Sequence, residues 1–544
     1  MSKSKSRQRS RKGESPPAPA ASAAIGRSDA ARRFYAILSA FLAGAAVMVM
    51  ELAGNRVLAP WFGNSLYTWT GLIGVVLVSI SGGYYLGGYL ADRRPDYVML
   101  AHLMGLAALL TAAVPLIQTA LEGPLESASV LWGPVIAALL LFAVPGCLMA
   151  SVSPFAIRLV SLLSRDRNVG LSAGSVGMFA TLGSVLGTFA AGFVLIPLVG
   201  VRTIFLVIAL GMGLLAAAGY VLFFPDLKRR KGAAALAVLV FAGMAAWAST
   251  HDSTPPAVLF EQTTFYHRIR VGELPTPDGD RHRKIFLDNT LEGAQYVHSR
   301  KLPSQYQRFW ALARMFCPQV RTAAFLGGGG FAMPEALLDA YPEAQVDVVE
   351  IDPKVIEVGR RFFRLDEYPQ LNAVADDARR FLRRTDARYD LILADVFHGV
   401  RCIPAHLVTR EFFALVRSRL DDQGLFAFNL GTAVEGEHAR IFQSVLKTLS
   451  AEFPYHCVFT ARPDLDRRAI QNVYVVAVLR DLGPGLAAAR RLPADDPVHE
   501  LLRGHLAPDQ YDTSPGYLFT DDWNPLEYLA AQTLRTPPPD AANP

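Results

Sequence analysis

Cysteine is scarce in this chain: four residues in 544, at Cys147, Cys317, Cys402 and Cys457. None stands in a CxxC pair and Cys147 lies in an apolar segment, which argues against a disulfide framework and against a zinc site. A strong excess of one charge is missing as well. The formal net charge is +5, and much of the positive excess sits in the N-terminal tail and between apolar segments, where lipid and topology account for it. No nucleic-acid partner is expected, nor a metal. A cleavable signal peptide is not expected either, because the first apolar stretch starts late and runs long.

Apolar residues are abundant: 51% of the chain is hydrophobic and the mean hydropathy is +0.25. The excess lies before about residue 250, and the remainder has the composition of a globular enzyme. A chain this long is expected to hold several domains. Residues 1–33 read as a disordered basic tail. Residues 34–250 read as a membrane domain, 255–300 as a small β-domain, 301–482 as a nucleotide-type α/β domain, and 483–544 as an extension.

Segments of spanning length fall near Phe34–Leu52, Thr70–Leu90, Tyr97–Leu121, Val130–Phe155, Ser172–Leu195 and Thr203–Phe224, with a shorter seventh at Gly232–Ala248. Basic residues cluster in the tail, at Arg93 and Arg94, at Arg158, Arg165 and Arg167, and at Lys228–Lys231, which sets the N-terminus in the cytoplasm. Six spans would return the chain to the cytoplasm; a seventh would carry the C-terminal half outside. Gly83 with Gly87, and Gly183 with Gly187, have the spacing that lets helices approach closely. Glu51, an ionisable residue at the end of the first span, is a functional candidate and a potential partner of Arg56. The string GGYLADRRP at Gly87–Pro95 resembles the loop between the second and third helices of major facilitator transporters.

The C-terminal half is organised around Thr322–Phe363. Thr322–Leu326 reads as a strand, Gly327–Gly330 as a loop, Met333–Tyr341 as a helix and Ala344–Ile351 as a second strand ending in Glu350 and Asp352. Glycine-rich loops of this kind let the backbone approach a ligand, and an acid after the next strand accepts ribose hydroxyls. The third glycine of a dinucleotide fingerprint is absent, with Met333 near its place, which favours an adenosylmethionine type of ligand over NAD. Further strands at Leu371–Ala375 and Tyr389–Val396 end in Asp376, Asp377 and Asp395, so Glu350, Asp377 and Asp395 fall on one rim. Strands at Gly424–Leu430, His456–Thr460 and Asn472–Val478 complete an expected seven-stranded sheet. Tyr306–Phe316 and Thr409–Leu420 read as helices, and Val258–Glu261, Tyr266–Val271 and Lys284–Asp288 as strands of the small domain.

These motifs resemble the spermidine synthase family of polyamine aminopropyltransferases, in its membrane-fused bacterial branch. They are LDN at Leu287–Asn289, YQ at Tyr306–Gln307, LGGGG at Leu326–Gly330, VVEIDP at Val348–Pro353, DARRFL at Asp377–Leu382, YDLILAD at Tyr389–Asp395 and TDDWNPLEYL at Thr520–Leu529. The resemblance implies a multi-pass helical domain, a small β-domain and a Rossmann-like, methyltransferase-type parallel sheet. It implies transfer of an aminopropyl group from decarboxylated S-adenosylmethionine, a co-substrate with no prosthetic group, to a putrescine-like diamine. Gly327, Gly328, Gly329, Glu350, Asp352, Asp377 and Ala378 would hold the donor, Asp395 would be the catalytic base, and Tyr306, Gln307, Asp288, Gln295 and His398 would bind substrate. A homo-oligomer is compatible with the family.

Two positions depart from that pattern. Gly330 stands where the soluble enzymes carry an aspartate, and His398 and Gly399 stand where they carry a second acid. Both changes remove negative charge from a site for cationic amines; His398, Arg401, His406 and Glu411 are at hand to rebuild it. Two other readings therefore stand beside the first: an S-adenosylmethionine methyltransferase, and a polyamine transporter or sensor built on Glu51.

Overall fold

The computed structural model describes residues 27–63, 65–121, 124, 131–164, 169–224, 257–277, 279–288, 290–317, 319–397, 403–493 and 495–533. Among them, six helices are long and apolar enough to cross a membrane: Ser28–Phe62, Leu66–Arg93, Tyr97–Ala120, Gly133–Leu163, Val169–Leu195 and Val201–Phe223. The first helix begins inside the expected tail, at Arg27. Asp29 in its first turn complements the helix dipole and pairs with Arg32 at 3.8 Å. The seventh apolar segment, Gly232–Ala248, lies outside the described residues.

Glycine sets how these helices pack. A Cβ on Gly83 or Gly87 would come within 2.3 Å of a carbonyl oxygen, of Cys147 or of Ser151, on the fourth helix. One on Gly183 or Gly187 would strike Phe41 or Ala45 of the first helix. Both small-residue pairs are therefore packing surfaces.

The two ends of the bundle differ. Tyr35, Tyr97 and Phe223 bring their rings together at one end, with centroids 4.6 to 6.3 Å apart. Asp92 and Arg158 pair there at 3.5 Å. Arg93, Arg94 and Arg158 lie at that end. The C-terminal half docks on the other end. Arg56 Nη1 donates to the Tyr266 carbonyl at 2.6 Å, and the Leu66 amide donates to Glu527 Oε2 at 2.6 Å. The expected pairing of Glu51 with Arg56 does not form. Residues five apart on a helix point about 140° apart around its axis, and Arg56 is turned toward the docked domain.

Strands β1 (Val258–Thr263), β2 (Arg268–Pro275), β3 (Arg281–Leu287) and β4 (Thr290–Tyr296) form an antiparallel sheet in sequence order. The fourth strand had no clear signature, because its TLEGAQY sequence interleaves polar residues with few apolar ones. The main sheet holds β5 (Thr322–Leu326), β6 (Gln345–Glu350), β7 (Leu371–Ala375), β8 (Tyr389–Ala394), β9 (Leu420–Thr432), β10 (Tyr455–Thr460), β11 (Gln471–Val478) and β12 (His505–Leu506). Its order is β12-β10-β11-β9-β8-β5-β6-β7, with β5 to β9 parallel and β10, β11 and β12 antiparallel. The eighth strand is an addition to the seven expected; its two residues carry no periodicity to read.

Strand order reverses at β5, which lies between β6 and β8. That is the point where an open parallel sheet leaves a crevice beyond its carboxyl ends. Both faces of the sheet are covered, so β5 is apolar and buried from Ala323 to Leu326. The stretch expected as one helix after Tyr306 is instead a 3₁₀ turn, Gln305–Ala311, followed by Leu312–Phe316. A capping box between Ser304 and Gln307 starts it early. The C-terminal extension is part of this fold: Val498 and Leu501 are buried on one side of the sheet, Phe519, Leu526 and Leu529 on the other.

Candidate active site

The site is built at the β5 switch point. Gly327 leaves β5 with φ of +102°, and a Cβ there would lie 2.2 Å from the Asp395 carbonyl oxygen. Only glycine lets the loop pass that close to the end of β8. The loop then meets Glu350 at the end of β6. Gly328 N donates to its Oε2 at 3.0 Å and Asp352 N to its Oε1 at 3.0 Å. Both oxygens are thus fixed in place, while burial raises the Glu350 pKa above the usual carboxylate range.

Asp377 caps the helix Ala378–Arg384, accepting from Arg380 N at 2.8 Å. Its other oxygen meets His406 Nε2 at 2.9 Å. The bond with His406 holds its carboxyl below the ordinary value. The wall carrying His406 is pinned by the C-terminal segment. Arg379 makes a two-point pair with Asp521, at 2.7 and 2.6 Å, and donates to the His406 carbonyl at 3.1 Å. Asn524 donates to the Ala405 carbonyl at 2.7 Å.

Asp395 follows β8 and accepts from Asn429 Nδ2 at 2.8 Å. Burial pushes its pKa up to about 6. Glu292, on β4, faces the same space; burial, and then the charge of Asp395, push it up to about 8. The Tyr306 hydroxyl donates to the Glu292 carbonyl oxygen at 3.4 Å, and burial raises its pKa well above the phenol range. His267 meets Asp288 at 3.2 Å. Burial alone would lower its pKa, but the Asp288 hydrogen bond and charge outweigh it and the net shift is upward.

Gly327, Gly328, Gly329, Glu350, Asp377, Ala378, Asp395, Tyr306 and Gln307 line one cleft with about 970 Å³ of open space. Three expected residues stand behind it. Asp352 caps the helix Pro353–Phe362 through Lys354 N and accepts from Thr264 Oγ1 at 2.5 Å. Asp288 holds His267. Gln295 donates to the Gly330 carbonyl at 3.0 Å and to Glu335 at 2.8 Å, which fixes the glycine loop from below. Gln307 reaches the cleft, but its amide already serves the Ala294 carbonyl and the Ser304 amide. His398, Gly399 and Arg401 lie outside the described residues. Glu411 accepts from Asp521 N at 2.9 Å, away from the cleft, and Glu51 belongs to the first helix.

Glu292, His267 and Asn429 were missed. None belongs to a motif; all reach the site through strand pairing of distant segments. Glu292 enters because β4 runs against the glycine loop: a Cβ on Gly330 would lie 3.2 Å from Gly293 Cα, and one on Gly329 2.6 Å from the Glu292 carbonyl. Among the described residues, no group of three His, Cys, Asp or Glu side chains is placed to hold a metal.

A reversed parallel sheet with acids after β6, β7 and β8 beside a glycine loop is the layout of a Rossmann-like, methyltransferase-type transferase. The spermine/spermidine synthase domain family matches residues 309–465. Polyamine aminopropyltransferase 2 of Aquifex aeolicus is 23% identical over 427 residues, covering 76% of this chain and 82% of that one. The polyamine aminopropyltransferase of Corynebacterium efficiens is 26% identical over 456 residues, covering 78% and 83%. Both alignments are longer than the stretch from Ala257 to Pro544, so they take in part of the helical half. A shorter match joins the chain to the eEF1A lysine and N-terminal methyltransferase of Mus musculus, 30% identical over 142 residues, 24% of this chain and 20% of that one. Residues 309–465 carry the likeness to the spermine/spermidine synthase domain family, and the chain is a transferase similar to the polyamine aminopropyltransferases.

Proposed function

We propose that the chain is a membrane-anchored aminopropyltransferase that uses decarboxylated S-adenosylmethionine and an amine acceptor. The carrying observation is the acidic lining of the cleft: Asp395 and Glu292 face it, and no Lys or Arg is among the described residues that line it. Such a space favours cations, and both substrates of this reaction are cationic.

In this reading Glu350 takes the ribose and Asp377 the adenine end of the donor. Asp395 orients the acceptor and takes its proton, as a positioned base does, while Tyr306 closes the other side. The amine nitrogen attacks the methylene next to the sulfonium. A C–N bond forms, the C–S bond breaks, and its electron pair neutralises sulfur to give methylthioadenosine. The donor carbon is already activated by the positive sulfur, so the protein's part is holding two cations in line. With a putrescine-like acceptor the product is spermidine. Glu292, mostly protonated at neutral pH in the empty cleft, would give up its proton when an ammonium binds beside it and so supply, from β4, the charge that Gly330 does not.

The six apolar helices fit an anchor in a bilayer. With the basic end of the bundle in the cytoplasm, the transferase half stands on the opposite face, and the donor has to reach it there.

A methyltransferase reading rests on Gly330, since a loop without an acid selects less strongly for the decarboxylated donor. The deciding experiment measures methylthioadenosine release by the purified protein with decarboxylated S-adenosylmethionine and a panel of amines. Amine-dependent release is expected. Methyl transfer from intact S-adenosylmethionine, with no methylthioadenosine formed, would replace this reading by the other.

A further inference from the structure

A second cavity, with about 1770 Å³ of open space, lies where the two halves meet. Its walls come from the first, second and fifth membrane-type helices, the turn Phe265–Tyr266, the segment Ile403–His406 and the C-terminal helix Leu526–Thr533. Ile351, Pro404 and His406 line both this cavity and the transferase cleft, so the two spaces share a wall. Leu52, Phe62, Trp69 and Ile196 give the membrane side its apolar surface, with the polar Asn55, Arg56 and Ser65 also in the lining.

Gly192 completes that side, within a π-helical turn, Ala191–Leu195, that interrupts the fifth helix. Such turns are rare and recur at functional sites. A Cβ on Gly192 would meet nothing within 4 Å. Packing therefore does not demand glycine there, and its lack of a side chain leaves the cavity open.

We propose that this cavity holds the hydrocarbon chain of an amphiphilic primary amine whose ammonium end reaches the transferase cleft as acceptor. The proposal rests on the aminopropyltransferase reading. The chain is suited by a wall made of helices that would stand in a bilayer. The head is suited by Asp395 and Glu292 beyond the shared wall. Consecutive residues divide the two: Tyr266 faces the cavity and His267 the cleft. The membrane half holds this turn in place through Arg56 and holds the C-terminal helix through Leu66. Each methylene buried tightens binding about fourfold, so a long chain outcompetes a short polar diamine.

The test uses the full chain in nanodiscs with N-dodecyl-1,3-diaminopropane and 1,4-diaminobutane as acceptors, before and after Gly192→Phe. The dodecyl amine should have a KM at least tenfold below that of the short diamine. Gly192→Phe should raise the dodecyl KM tenfold or more and leave the short diamine unchanged. Equal effects on both acceptors, or no preference in the unaltered protein, would overturn the proposal. A second readout is independent of turnover. A dodecylamine brominated along its chain should quench the fluorescence of Trp69, and Trp69→Phe should remove that component. Absence of this quenching rejects the cavity as the chain's site. Quenching without methylthioadenosine release from any amine keeps the cavity but rejects the transfer reaction and, with it, the acceptor role.

Discussion

Asn429 on β9 donates a 2.8 Å hydrogen bond to Asp395 at the end of β8, and its amide nitrogen also lies 3.2 Å from Asn472 Oδ1 on β11. The carboxylate that faces the cleft is thus held by a neutral amide, itself held by the neighbouring strand. Among the described residues no positive partner stabilises its charge, so its basicity is kept. Asp395→Asn should lower kcat by about 10²- to 10⁴-fold, the span of a general base. Methylthioadenosine binding by calorimetry should change less than threefold, because the proposed donor contacts are Glu350 and Asp377. An equal loss of binding and rate would assign Asp395 to donor binding instead.

Glu292 makes a different prediction. In the proposed reaction it faces an ammonium, whose binding would ionise it, and has no part in activating sulfur. Glu292→Gln should raise the KM of the cationic substrates about 10- to 100-fold, the worth of a hydrogen bond to a charged group, with a smaller change in kcat. Initial-rate kinetics with each substrate varied in turn separates the two effects and tells which ammonium it holds.

The pH dependence follows from the same two acids. Folding raises Asp395 to about 6 from 3.8 and Glu292 to about 8 from 4.5. Between the ordinary and raised values the folded state binds protons that the unfolded state has lost, so stability falls as pH rises from about 4 to about 8. The Tm of the ligand-free protein should decline over that range, and Glu292→Gln should flatten its upper part. As a base Asp395 must be ionised, so kcat/KM should rise through pH about 6. A flat profile between pH 5 and 7 would remove Asp395 from that role.

The docking of the transferase half predicts its side of the membrane. Single cysteines at Arg93 and at the exposed Glu357, in a background cleared of the native four, should react oppositely with a membrane-impermeant maleimide on intact cells. The Glu357 site should label and the Arg93 site should not. The reverse pattern would put the transferase half in the cytoplasm.

Much of this was legible in local sequence. Spans show as long apolar runs because every backbone group must be satisfied within the helix, and β5, β6, β7 and β8 show as short buried runs closed by glycine or acid. Gly327, Glu350, Asp377 and Asp395 could be found because strand ends in a parallel sheet share one rim. Their chemistry is written in residue type and in distance from a strand.

What the tertiary structure decided depends on segments far apart in the chain. Glu292 became a site residue only when β4 met the glycine loop, and Gln295, three residues further along β4, became that loop's support. Arg56 was open to pairing with Glu51 until the docked Tyr266 carbonyl engaged it. The face on which the transferase sits, and the cavity left beneath it, arise from contacts such as Leu66 with Glu527. No local pattern encodes these, because the energy that selects them belongs to the pair of surfaces and not to either stretch of sequence.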